Sequence, residues 1–285
     1  AYTIPFTEPT FNLTINLRMD PVAHLVFDIE TVADGELIAA AKYPTETALS
    51  PIEAIARFQE ELVLQSGKTF VPYTYQIPAA IVIAKLDKNY ELIDVVSLDE
   101  PEFRPHVMTE HFWRGWESYG RPQWITFNGR GFDLPVMELA AFRYGLSVPN
   151  WFKNDSNSYS QPRNRFNVAS HFDLQEFITN SGATWFRGGL DLLARLLGKP
   201  GKMDVKGEQV QEMYNAGQFK EISDYCRCDV LDTYFVFLRI MVMLGRIDRE
   251  REKEIVSKAR QWLVDRQLQC TVYESYLQRW TDPKD

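Results

Sequence analysis

Cysteine is scarce in this chain. Its 285 residues include three, Cys226, Cys228 and Cys270. An odd count, with two of them separated by one residue, excludes a disulfide framework and suits a reducing, cytoplasmic setting. Metal-binding imidazole is scarce too. His24, His106, His111 and His171 stand at no ligand spacing. Cys226-x-Cys228 has no second Cys/His pair beside it, so the pattern does not support a zinc site. No apolar run approaches the roughly 18 residues of a membrane span. The first residues carry no basic segment followed by an apolar run, so they do not read as a secretory signal. Positive charge is also short. The formal net charge of −8 excludes a protein that wraps long nucleic acid electrostatically. It leaves open an enzyme that grips a few nucleotides through bound cations, because a carboxylate-rich site attracts phosphate once metal neutralises it.

What is present is core-forming material. Hydrophobic residues make up 45% and aromatic residues 13%, enough for one substantial domain. Residues 1–21 contain three prolines and little periodicity, and read as an extended arm. HLVFDI (24–29) reads as a buried strand ending in acidic residues. Ser50-Pro51-Ile52-Glu53 is a helix start, with a capping serine, an early proline and a glutamate at the third position. AAIVIAKLD and ELIDVVSLD flank Lys88-Asn89-Tyr90 as a β-hairpin. Further helices are expected over 108–119, 134–145, 190–198 and 219–244, and a strand over 123–129. Residues 153–167 form a polar loop, and 247–280 a final helical region with dense mixed charge. The expectation is an α/β fold, a mixed central β-sheet flanked by α-helices. It divides as an N-terminal arm (1–21), a main domain (22–245) and a C-terminal helical extension (246–285) packed on that domain.

Three acidic motifs stand out. In Phe27-Asp28-Ile29-Glu30-Thr31 the two carboxylates alternate along a strand and so share one face. They lie at its carboxyl end, where open α/β sheets place ligands. A strand running out into solvent fits that pentapeptide equally well. In Phe127-Asn128-Gly129-Arg130-Gly131-Phe132-Asp133-Leu134-Pro135 a strand ends, a glycine turn follows, and Asp133 sits where a helix begins. A helix-capping aspartate explains that motif without any function. In Tyr225-Cys226-Arg227-Cys228-Asp229 the tyrosine and the last aspartate are four apart, on one helical face. A hydrogen-bonded Tyr–Asp pair is the simpler account there.

Taken together, the motifs resemble the DEDDy branch of the 3′–5′ exonuclease superfamily in order and setting: Asp-x-Glu, Asn-x(4)-Asp and Tyr-x(3)-Asp. GGLDLLARLLGKPGKMDVKGEQV and EISDYCRCDVLDTYFVFLR resemble the predicted exonucleases related to the proofreading domain of family B DNA polymerases. The resemblance spans about residues 22–240, leaving the tail from 247 outside. It implies a ribonuclease H-like fold and a two-metal 3′–5′ exonuclease using Mg²⁺ or Mn²⁺. Hard cations of this kind prefer carboxylate oxygens. In that scheme Asp28 bridges both metals, Glu30 and Asp229 complete the water-activating site, and Asp133 holds the second ion. Tyr225 orients the attacking water. Thr31, Asn128, Phe132 and Lys202 are candidate substrate contacts. Lys199, Lys206, Arg163 and Arg165 could meet phosphates, although solvated surface charge accounts for any one of them. Asp173 is a candidate for a supporting role. The implied partner is a nucleic-acid 3′ end, single-stranded DNA before RNA, with a replication or repair protein as a further possibility. An RNA-trimming enzyme and a non-catalytic binding subunit are the rival readings.

Overall fold

The sequence HLVFDIETVA places apolar side chains on both faces of one strand, and a strand can bury both faces only at the centre of a sheet. The computed structural model describes residues 21–153, 157–201 and 209–281, and it puts this strand, β1 (His24–Ala33), in the middle of five. The others are β2 (Gln76–Leu86), β3 (Leu92–Ser97), β4 (Gln123–Thr126) and β5 (His171–Asp173). Their spatial order is β3-β2-β1-β4-β5. β1 pairs antiparallel with β2 and parallel with β4; β2–β3 is antiparallel and β4–β5 parallel. The fold is α/β, with the mixed sheet and flanking helices of the ribonuclease H-like class.

Ten helices are described: α1 (Gly35–Lys42), α2 (Pro51–Ser66), α3 (Pro105–Ser118), α4 (Asp133–Arg143), α5 (Leu174–Ile178), α6 (Gly189–Leu196), α7 (Val210–Asn215), α8 (Phe219–Met243), α9 (Arg249–Arg266) and α10 (Thr271–Arg279). Alternation along β1 and β2 divides the core into two layers. Val26, Val32, Val82 and Ala84 face α8, α9 and α10. Leu25, Phe27, Ile29, Ile81 and Ile83 face α3 and α4. On the second side Phe112 stacks on Trp124 at 4.6 Å, with Phe27 and Trp116 around them. These broad rings offer little rotameric freedom, so they give β1 and β4 a stiff backing.

The predicted hairpin forms, with Asp87 accepting the Asn89 and Glu91 N–H groups at 2.8 Å across its turn. Ser50 and Glu53 make the capping box. The predicted region 247–280 is two helices, α9 and α10. The short elements α1, β5, α5 and α7 were not anticipated. None of them spans the roughly 11 or more residues over which a hydrophobic period is read. No described helix is long and apolar enough to cross a membrane. Of the expected arm, residues 1–20 lie outside the described residues.

Helix α8 is buried along most of its 25 residues, as expected of a helix covered on all sides. It also holds a polar contact that ties α10 to it. Tyr276 of α10 donates its hydroxyl to Asp232 at 2.6 Å, and both residues are fully buried. Burial pushes the Asp232 carboxyl up to about 8, against the downward pull of the Tyr276 hydroxyl. A carboxyl whose folded value lies above its unfolded value of about 3.9 holds a proton that the unfolded chain has lost. Its contribution is favourable at low pH and is lost as pH rises from about 4 to 8, by at most ~1.4 kcal/mol per pH unit. Asp232→Asn carries no such proton. Urea unfolding between pH 5 and pH 8 is therefore expected to show the variant gaining stability relative to wild type as pH rises; an offset constant with pH would contradict the assignment.

Candidate active site

The first acidic pair lies just past the middle of β1, which runs on to Ala33 rather than ending at the carboxylates as expected, because its pairing with β2 continues after its pairing with β4 stops at Val26. Asp28 and Glu30 lie opposite Val82 and Ala80 of β2 and are both half-buried. A β-bulge between Glu30 and Thr31 breaks the regular ladder there, a device common beside functional sites. Their shared face is the one α8 covers, and α8 brings Asp229 down on it. Asp28, Glu30 and Asp229 each offer a carboxylate oxygen, and these oxygens all lie within 4.8 Å of one another. At an effective dielectric of about 20, two negative charges at that separation repel by roughly 3 kcal/mol. Such a trio is an oxygen-only donor set suited to a hard divalent cation.

Tyr225, one helical turn before Asp229, is buried and donates its hydroxyl to the Asp229 carboxylate. Burial, reinforced by Asp229, Glu30 and Asp28, pushes the Tyr225 hydroxyl far above its ordinary value. Its neighbour Cys226 is also buried, and its thiol lies 3.3 Å from the Asp28 carbonyl oxygen and 3.8 Å from Asp28 Oδ2. Burial and the same three carboxylates push this thiol well up, so it stays protonated as a donor. A neutral thiol is not a competing soft ligand.

The second motif forms the neighbouring turn. Parallel pairing of β1 with β4 brings the ends of both strands to one edge. Asn128 takes a left-handed backbone, φ 65°. A Cβ on Gly129 would fall 2.5 Å from the Thr126 side chain, so that turn closes only around glycine. Asp133 begins α4; the cap position is Phe132, with no side-chain cap bond. The Asp133 carboxylate accepts the Ile29 N–H at 3.2 Å. It therefore touches the peptide between Asp28 and Glu30 but is not a member of the three-carboxylate cluster. Burial pushes its carboxyl up.

Asp173 proves to be the support of this turn. Its oxygens accept from Asn128 N (3.0 Å), Arg130 N (2.9 Å), Gln175 N (3.0 Å) and Glu176 N (3.2 Å). One buried carboxylate thus caps α5 and fixes the loop that ends in Asp133. Between the elements lies a cleft of about 480 Å³, lined by Asp28, Asn128 and Asp229 together with Phe127, Gln175, Leu190, Asp191 and the Gly188–Gly189 pair.

A family of predicted 3′–5′ exonucleases related to the exonuclease domain of PolB matches residues 68–280, three quarters of the chain. The chain belongs to this family. No curated protein matches it. The matched span corrects one expectation: α9 and α10 fall inside the family's pattern rather than outside it. Asp28 and Glu30 precede the span, while Asp133, Tyr225 and Asp229 fall within it.

The other candidate residues divide by position. Thr31 does not line the acidic cleft; it lines an adjoining one of about 180 Å³ with Phe70, Gln76 and Gln211, and its hydroxyl donates to Gln76. Phe132 is partly buried against the α3–α4 core, yet its ring centre lies 5.8 Å from that of the exposed Phe70. Lys202 and Lys206 lie outside the described residues. Lys199 is buried against Trp280, and Arg163 and Arg165 pair with Glu138 and Glu176. The sequence reading missed Cys226 as an Asp28 contact, and Asp191 and Gln175 as cleft residues. The Gly188–Gly189 doublet is the signal that marked a close approach there, since both take positive φ (100° and 57°).

Removing the buttress has a predictable cost. Asp173→Ala leaves four backbone donors without their acceptor, and is expected to lower unfolding free energy by about 1–3 kcal/mol. Urea denaturation checks this; an unchanged midpoint would mean that water replaces the carboxylate fully.

Proposed function

We propose that this protein removes nucleotides from the 3′ end of single-stranded DNA by hydrolysis, with two divalent cations, Mg²⁺ or Mn²⁺. The convergence of Asp28, Glu30 and Asp229 carries this reading. The donor set fits the metals, since it is all oxygen. Asp28, Glu30 and Asp229 would hold one cation. Asp133, turned toward the peptide between Asp28 and Glu30, would serve the second, with Asp28 shared. When bound, such ions acidify a water and stabilise the departing oxyanion.

The chain's own residues supply placement. The Tyr225 hydroxyl is neutral and held by Asp229. It is a poor base; with its proton given to Asp229, its oxygen is left to accept a hydrogen bond from the attacking water and so position it. Asn128 stands at the cleft wall beside Asp28, fixed through its backbone by Asp173. Single-strand preference is supported by aromatic side chains at the adjoining cleft and on the segment that leads into the acidic one. Phe70 and Phe132 form a tilted pair. Trp185, three residues before the cleft's glycine pair, is 97% exposed. Stacking on such rings tolerates any base.

The test uses 3′-labelled and 5′-labelled single-stranded DNA and RNA of one sequence, with Mg²⁺, Mn²⁺ or chelator. A ladder shortening from the 3′ end and abolished by chelator is expected, with faster loss from DNA. Asp28→Ala should lower the rate by about 10³-fold or more, equivalent to ~4 kcal/mol of transition-state stabilisation. Tyr225→Phe should lower kcat by roughly 10- to 100-fold with metal affinity unchanged. Intact strands under every metal condition, from folded protein, would overturn the catalytic reading; a higher rate on RNA would reassign the substrate.

Trp185→Ala offers a separate readout. Losing one stacking surface is expected to raise KM for single-stranded substrate by about tenfold with little change in kcat. Steady-state kinetics decides it, and an unaltered KM would remove Trp185 from the strand path.

A further inference from the structure

The acidic cleft accounts for one end of α6. The other end opens on a different chemistry. Leu190 and Asp191 line the cleft, whereas Leu197 and Lys199, just past the helix, line a pocket of about 370 Å³ closed by α8, α9 and Trp280. Eight residues of helix separate the two by roughly 12 Å. Five cationic side chains border this pocket, Lys199, Arg239, Arg249, Lys253 and Arg260; Glu252 is the one carboxylate in its lining, and Lys253 also pairs with the exposed Glu250 at 2.9 Å. In a chain of formal charge −8 that is a pronounced local reversal.

The pattern is built into the helices. Arg249, Lys253 and Arg260 recur at intervals of four and seven along α9, which places them on one face. Glu252 is buried and accepts from Arg239 Nε at 2.8 Å and also from Arg249. One carboxylate thereby orients two guanidinium groups while neutralising only one of them. The Lys199 ammonium is buried, 3.8 Å from the centre of the Trp280 ring, and donates to the Leu197 carbonyl at 3.2 Å. The Arg260 guanidinium lies 5.6 Å from the same ring. Among the described residues Arg260 has no ion-pair partner. The apolar floor comes from Phe235 and Val256.

We propose that this pocket is a second binding site, taking a nucleotide-sized ligand that carries two or more phosphate charges. Guanidinium forks match phosphate oxygens bidentately. A volume of this size suits a small molecule, and the apolar floor suits a base or sugar face. The surplus of cations around one small cavity favours an anion there. The site stands apart from the proposed metal centre and does not depend on the exonuclease reading.

Isothermal titration calorimetry in chelator, so that no metal bridges ligand to the acidic cleft, tests this with adenosine diphosphate as probe. Uncharged adenosine, a single-stranded oligonucleotide and a glutamate-rich peptide are the comparison ligands. The expected result is a Kd of about 100 µM or tighter for the diphosphate and no binding of adenosine. The double variant Lys253→Glu, Arg260→Glu should weaken the diphosphate at least tenfold, its fold verified by circular dichroism, while Asp28→Ala leaves the affinity unchanged. Three results would each overturn the proposal: no diphosphate binding at about 1 mM, an affinity indifferent to the double variant, or tenfold tighter binding of the oligonucleotide or the peptide at this pocket.

Discussion

Three carboxylates within 4.8 Å of one another are the constraint that organises this molecule. Left alone they repel, and neither half-buried Asp28 and Glu30 nor buried Asp229 can be screened fully by water. The fold holds them together from opposite directions. β1, locked between β2 and β4 and backed by stacked aromatic rings, fixes the first pair. α8, buried along most of its length, fixes the third. Donors are supplied where they relieve charge without removing it: the Tyr225 hydroxyl on Asp229 and the Cys226 thiol on Asp28. Proteins commonly accept such local instability at functional sites and offset it by surrounding packing.

The second acidic motif is held by a different principle. Its loop must turn sharply between β4 and α4, and the turn uses a left-handed asparagine and a glycine with no room for a Cβ. Backbone amides freed by the turn converge on Asp173, which therefore belongs to the architecture rather than to the reacting centre. The histidines follow the same rule. His171 Nε2 meets the Thr126 hydroxyl at 2.7 Å and His24 Nδ1 meets Gln123 at 2.8 Å, so both are absorbed by strand pairing.

The C-terminal helices are continuous with the main core. Ile255, Leu263, Tyr273 and Trp280 share the apolar layer that covers β1 and β2 from the α8 side. The Asp232–Tyr276 contact lies three residues along α8 from Asp229, so the element that places the third carboxylate is anchored to α10 within one turn of it. The family match through residue 280 is consistent with that physical unity.

The sequence by itself determined the longer elements and the chemical inventory. Alternation fixed which residues of β1 share a face, and helical spacing put Tyr225 and Asp229 together, because both depend only on local backbone geometry. The hairpin, the capping box and the α/β class were legible for the same reason. Tertiary structure alone decided the distances. Nothing local to residues 28 and 229 says that their oxygens approach within 4.8 Å, that Asp133 turns to the Ile29 amide, or that Thr31 faces an adjoining cleft. It also decided that cations spread over α8, α9 and the turn after α6 surround one cavity. Those facts arise from how separate elements dock, and docking is set by burial and close packing summed over the whole core, which no short stretch of sequence encodes.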